Sequence, residues 1–171
     1  MTVSMPQTYT AINETGCCAR PNVEPWDRTT IEFKNRKFIR LHTRSMMFIP
    51  LNMSDIMTEL QEIAEGAKAT MPPQEAMVLS RDLTPWRAEQ LYAVSKVVEG
   101  ADNVTIDGKF ASIVFEGDYS KAKNWFDDMV EYASELGSKS EEIYFFYTTC
   151  PKCAEHYGKN YVVGLAKLST N

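Results

Sequence analysis

The sequence predicts an α+β fold made of a strand–helix–strand–strand unit used twice, and three observations carry that reading. An alternating segment, Arg36 to Ile49, runs through Pro50 into a helical stripe between Met53 and Lys68. A second apolar run, Phe110 to Glu116, passes Gly117-Asp118-Tyr119 into another helical stripe from Ser120 to Leu136. Two short apolar segments follow each helix, so periods of 2 and 3.6 residues recur in the same order.

Taken in order, residues 1–35 hold no sustained period and are punctuated by Pro6, Gly16, Pro21 and Pro25. They read as an extended arm. Cys17, Cys18 and Trp26 are costly to expose, so the arm is expected to dock. In the first strand Phe38, Arg40, His42, Arg44, Met46 and Phe48 share one face, with Ile39, Leu41, Thr43, Ser45, Met47 and Ile49 on the other. Asn52 or Ser54 then offers an N-cap, and Ile56, Met57, Leu60, Ile63, Ala64 and Ala67 form the buried stripe. Pro72-Pro73 forbids continuation. Strands are expected at Ala76–Ser80 and Glu89–Ser95, joined by a turn over Arg81–Trp86. Gly100–Gly108 reads as a polar connector turning at Asp107-Gly108. In the second helix Ala122, Trp125, Met129, Val130, Ala133 and Leu136 form the stripe and Gly137 the C′ residue. Ile143–Thr149 and Tyr161–Leu168 complete the strands.

A single domain over 1–171 follows: the arm, a first half at 36–100 and a second at 101–171. Each half leaves one sheet face bare, so a groove between the halves is the expected ligand site.

Composition removes several classes. A net charge of −5 without any Lys/Arg run argues against nucleic acid. The N-terminus lacks a basic segment followed by an apolar one, and no stretch approaches 18 continuous apolar residues. The expectation is therefore a cytoplasmic protein with no membrane partner and reduced thiols.

Cys150 and Cys153 have the Cys-X-X-Cys spacing that zinc prefers, with His156 three residues on and Cys17 and Cys18 near the other end. A closed structural zinc site, four packed reduced thiols and a redox pair all remain open, the last being the weakest. In the strand at 143–149, alternation puts Glu142, Tyr144 and Phe146 on one face. A carboxylate beside two aromatics suits a pocket for cationic or polarised ligands. Trp86, Phe48 and His42 join Tyr144 and Phe146 as ligand-binding candidates. Glu116 ends an apolar strand just before a glycine, where partial burial would raise its pKa for acid–base work, or where it merely binds turn amides. Tyr119 lies three residues beyond it. No Gly-X-Ser-X-Gly, His-Glu-X-X-His, Walker or dinucleotide motif occurs. Water addition steered by carboxylate and aromatic groups remains, or binding alone.

Val114-Phe-Glu-Gly-Asp-Tyr119 before the second helix and Glu142-Ile-Tyr144 after it resemble the gyrase-inhibitor-like (GyrI-like) small-molecule-binding superfamily. A fuller set is similar to a bacterial group within it that is labelled as hydrolases. It comprises Gly16-Cys-Cys18, Glu24-Pro-Trp-Asp27, Arg44-Ser45, Ile49-Pro-Leu-Asn52, Ala93-Val-Ser95, Tyr147-Thr-Thr-Cys-Pro-Lys-Cys153 and Tyr157-Gly-Lys-Asn-Tyr-Val-Val163. Asp118 stands where the common motif has Pro. The resemblance implies the duplicated fold and a pocket for hydrophobic, planar small molecules. The functions it implies are hydrolysis of a reactive electrophile or binding without chemistry; for hydrolysis, the carboxylate–aromatic pairing read from the residues offers Glu116 or Glu142 to orient or activate water and Tyr119 and Tyr144 to hydrogen-bond the leaving atom. Interaction with a protein such as gyrase is a third.

Overall fold

The computed structural model describes residues 2–16, 18–140, 142–149 and 151–169, with only the backbone described at 119, 151 and 152. Alternation extends further back than Arg36: Thr29–Met46 forms one 18-residue strand, β2. A short strand, β1 (Thr2–Ser4), runs parallel to its beginning. After a two-residue turn come β3 (Ile49–Pro50), α1 (Met53–Gly66), β4 (Val78–Thr84) and β5 (Arg87–Ala93). The chain continues through β6 (Asn103–Glu116), α2 (Ala122–Glu135), β7 (Ile143–Tyr147), α3 (Pro151–Tyr157) and β8 (Tyr161–Lys167). The class is α+β.

The strands pair in the order β2-β5-β4-β7-β8-β6, and β6 pairs back to β2. Every junction of this ring is antiparallel, so it is a closed six-stranded barrel. The β4–β7 seam is the thinnest, a single Ser80–Phe145 pair. Because both edges of the bare sheet faces pair, the expected groove becomes the barrel interior. Ile31, Phe33, Phe38, Leu91, Phe110 and Phe146 fill it. The arm docks as expected, ending at residue 28. Its Trp26 is 1 % exposed inside this core, with the indole N–H donating to the Gln7 carbonyl at 3.1 Å. Ser112 Oγ donates to the Trp26 carbonyl at 2.6 Å, tying the plug to β6.

The helices cover the outside. Leu60 and Ala64 of α1 pack on Ile39 and Val94, and Met129 and Ala133 of α2 on Ala111, Ile113 and Ala166. Asn52 holds the N-cap position of α1, yet its side-chain oxygen accepts from the Arg44 N–H at 2.8 Å instead of capping. The α2 stripe is narrower than its period suggests, since Val130 and Leu136 are exposed. Gly164 in β8 allows the helix to approach: a Cβ there would lie 2.7 Å from Met129 Sδ.

Three local expectations change. The 100–108 connector is largely strand, because β6 starts at Asn103. Asp107-Gly108 is not a turn: the Asp107 carboxylate accepts the Asn35 N–H, and Gly108 (φ +114°) pairs with Phe33 beside a ladder irregularity. Residues 81–84 extend β4, leaving the turn to Pro85 and Trp86. Residues Pro151–Tyr157, which had no predicted element, are helical.

Two substitutions test this packing. Trp26→Ala should destabilise by about 3–5 kcal/mol in urea unfolding, as expected for loss of a buried large aromatic. Gly164→Ala should cost about 1–3 kcal/mol by overpacking against Met129.

Candidate functional site

The interior of the barrel changes character along its length. On β2, alternation carries Phe38, Arg40, His42 and Arg44 to the inner face. Register sets Arg40 opposite Leu91, His42 opposite Glu89 and Arg44 opposite Arg87. On the other side of β5, Leu79 faces Leu91 and Arg81 faces Glu89. The apolar layer at Phe38, Leu79 and Leu91 therefore gives way, one residue pair further on, to charges at one barrel mouth.

Glu89 is at the centre of those charges, its side chain 4 % exposed. Arg81 Nε lies 3.0 Å from one carboxylate oxygen and Arg40 Nη1 3.3 Å from the other. The Arg81 contact is an ion pair bent too far for a hydrogen bond. Arg40 also donates from Nε to Asp102 at 2.9 Å. The Arg81 guanidinium carbon stands 5.3 Å above the Tyr144 ring, and Tyr144 donates its hydroxyl to Glu142 Oε2 at 3.2 Å. Anion and cation thus alternate from Asp102 through Arg40 and Glu89 to Arg81, and Tyr144 beneath Arg81 carries the contacts on to Glu142. A carboxylate this buried is tolerated only because both oxygens meet cations.

Electrostatics give two groups defined proton states. Burial, then the charge of Glu142, pushes the Tyr144 phenol far above its ordinary range, so it stays a donor. Burial, then Arg87 and Arg40, holds the His42 imidazole below its usual value against the opposing pull of Glu89 and Asp102. A neutral His42 is an acceptor at neutral pH. The site therefore offers a protonated phenol, a carboxylate on it, a neutral imidazole and a guanidinium: parts suited to proton transfer and to stabilising a developing oxyanion.

A family model described as Bacterial hydrolase matches residues 8–168. The chain belongs to that family. No curated protein matches it.

In this bacterial hydrolase family member the sequence candidates fall into four places. Glu142, Tyr144 and His42 come together at the charged mouth. Trp86 and Phe48 are exposed on hairpin tips beyond it, joined by a 2.9 Å hydrogen bond from the Phe48 N–H to the Pro85 carbonyl. Phe146 lies deeper, 2 % exposed, with Tyr9 edge-on to its ring at 5.8 Å. Glu116 sits at the far end of the barrel: it pairs with Tyr161 at the start of β8, whereas the Glu142 carbonyl accepts from Lys167 at its end. The Glu116 side chain is 53 % exposed and lies 3.5 Å from Lys159, so the partial burial expected of it does not occur. Tyr119 follows Glu116 in the chain, and its side chain is outside the described residues.

The described cysteine candidates, Cys18 and Cys153, lie on the arm and on α3. Cys153 Sγ donates to Thr15 Oγ1 at 3.3 Å, and the same hydroxyl accepts the Cys18 N–H at 3.2 Å. Tyr157 donates to the Cys18 carbonyl at 2.7 Å, and His156 Nε2 lies 3.0 Å from Glu14. Cys17 and Cys150 are outside the described residues. Among those described, no cluster of three His, Cys, Asp or Glu side chains suited to a metal is present.

Sequence reasoning missed Arg40, Arg81, Glu89 and Asp102 as a site. One signal was present: Arg40, His42 and Arg44 share a face with Phe38, so charges had to follow an apolar residue inward. Arg81 was hidden by its assignment to a turn, and Glu89 gains meaning only from register.

Glu89→Gln should destabilise by about 3–5 kcal/mol in urea, because it leaves two cations facing a neutral amide. Glu116→Gln should stay within about 0.5 kcal/mol of the parent. His42 predicts a pH dependence: with its folded pKa below the unfolded value of about 6.5, the unfolded state binds more protons between the two. Stability from His42 is present above that window and is lost as pH falls through it. His42→Gln should flatten this part of a denaturation-versus-pH profile.

Proposed function

We propose that the charged mouth hydrolyses a hydrophobic or planar electrophile, in the cytoplasm. The observation that carries this reading is the Tyr144–Glu142 contact under the Arg81 guanidinium, in a chain of the bacterial hydrolase family. Glu142 takes a proton from water as the water oxygen bonds to the electrophilic carbon, and returns it to the leaving atom as the bond between that atom and the carbon breaks. Arg81 and the Tyr144 hydroxyl stabilise the negative charge that develops on the substrate. Phe48 and Trp86 contact its apolar body, and His42 accepts a hydrogen bond from it. Glu116 and Tyr119 are left out of this centre.

A second reading is binding without turnover. It is favoured by Glu89, whose charge is already matched by Arg40 and Arg81, so that the cluster serves as a lock on the mouth. In both readings the chain is GyrI-like. What supports that kinship is strand order: β2-β5-β4 on one side of the ring and β6-β8-β7 on the other, each half carrying one 14-residue helix, with the short α3 added in the second. The Cys18–Thr15–Cys153 contact supports a clasp between arm and α3. A structural zinc held there with Cys17 and Cys150, or with His156, is the proposal for its metal.

Planar aromatic esters such as 4-nitrophenyl acetate test the activity. Glu142→Gln should lower kcat/KM by roughly a hundredfold or more, while Glu116→Gln leaves it unchanged. Parent-like turnover in Glu142→Gln would sink the catalytic reading. No turnover by the parent, with melting raised by the same compounds, selects binding. Metal analysis decides the clasp: one zinc per chain, lost in Cys153→Ser, against none for packed thiols.

A further inference from the structure

Of the seven large apolar side chains that are more than half exposed among the described residues, six gather on two neighbouring hairpin tips, the seventh being Val97. Met46 pairs with Ile49, so Met47 and Phe48 alone form the turn between β2 and β3. Both have positive φ, +50° and +70°. A two-residue hairpin turn of this type favours Asn-Gly, and bulky residues are strained in it. Met46, Met47, Phe48, Ile49, Leu51 and Trp86 are each more than half exposed. Hydrogen bonds from the Phe48 N–H to the Pro85 carbonyl (2.9 Å) and from the Ser45 N–H to the Trp86 carbonyl (2.8 Å) join the tips into one projection.

The charges on this projection have one sign. Residues 44–51 and 83–87 contain two ionisable side chains, Arg44 and Arg87. They are exposed, directly opposite each other across the β2–β5 ladder, and among the described residues neither has a carboxylate within ion-pair distance. Like charges so placed repel, in a chain whose net charge is −5.

We propose that this projection docks the protein on an anionic lipid bilayer. Met47, Phe48, Ile49 and Trp86 enter the interfacial layer, and Arg44 and Arg87 meet the lipid phosphates. An apolar tip flanked by basic side chains is what a peripheral membrane contact requires, and Trp is suited to the headgroup depth. A small substrate at the mouth touches Phe48 and Trp86 from one side and leaves Met46, Met47, Ile49 and Leu51 uncovered. A second copy meeting it tip to tip would add two more arginines to an unmatched pair. The chain lies on the surface: no described helix is long and apolar enough to cross a membrane. The proposal does not depend on the hydrolase reading.

Co-sedimentation of the full chain with phosphatidylglycerol vesicles tests it, with phosphatidylcholine vesicles alongside. The parent should pellet with the anionic vesicles, with a blue shift of Trp86 fluorescence, and bind neutral ones far more weakly. Arg44→Gln and Arg87→Gln should each weaken binding by about fivefold. M47N/F48G restores the favoured turn chemistry, so it should melt at or above the parent temperature and lose vesicle binding. The proposal is overturned if the parent stays in the supernatant with anionic vesicles or if M47N/F48G binds as the parent does. It is equally overturned if light scattering shows a dimer that M47N/F48G dissolves while vesicles bind nothing.

Discussion

Everything in this molecule depends on the long antiparallel ladder between β2 and β6. It runs from Thr29 opposite Ser112 to Ile39 opposite Asn103, with one irregularity between Phe33 and Arg36. That ladder joins the first half of the chain to the second, and the Ser80–Phe145 pair closes the ring on the other side. Closure leaves the six barrel strands no open edge within the ring. It also forces the inner faces together, so aromatic side chains meet as core where two open sheets would have left a groove. Trp26 and Tyr9 complete that core from the arm. The docking of residues before β2 is thus part of the barrel's interior, not decoration on its surface.

The same closure explains why one mouth carries charge. A β-barrel alternates inward and outward residues along each strand, and β2 continues that alternation past the apolar layer. Arg40 and Arg81 come from strands separated by β5, and Glu89 on β5 lies between them. Buried ion clusters of this kind contribute little net stability compared with apolar packing, though loss of one member is costly. Their presence in a chain of the bacterial hydrolase family is the physical reason to look for chemistry there. Tyr144 links the cluster to Glu142, giving a donor and an acceptor with different proton affinities in one place. The proposed membrane contact would set this mouth near the lipid surface, where hydrophobic electrophiles concentrate.

The barrel's far end does a different job. Cys18, Cys153, Tyr157 and His156 tie the arm to α3 through Thr15 and Glu14. Burial, and then the charge of Cys18, raises the Tyr9 phenol well above its usual range, consistent with its hydroxyl donating to the Thr148 carbonyl at 2.7 Å. These contacts hold the segment that plugs the core.

Periodicity, breakers and residue type are local properties, and the amino-acid sequence alone determined what depends on them. The two helices, their stripes apart from Val130 and Leu136, the strands bearing Phe38–Arg44 and Tyr144–Phe146, and the docked arm could all be read from it. So could the shared face of Glu142 and Tyr144. What joins distant segments was decided by tertiary structure. Ring closure, the burial of Phe146, the exposure of Glu116 and the meeting of Glu89 with Arg40 and Arg81 are consequences of register. A side chain's environment is set by the residue opposite it, and in this fold that residue is often tens of positions away: Arg40 and Glu89 are 49 residues apart. Alternation could say which way a side chain points, and only the closed ladder could say what it points at.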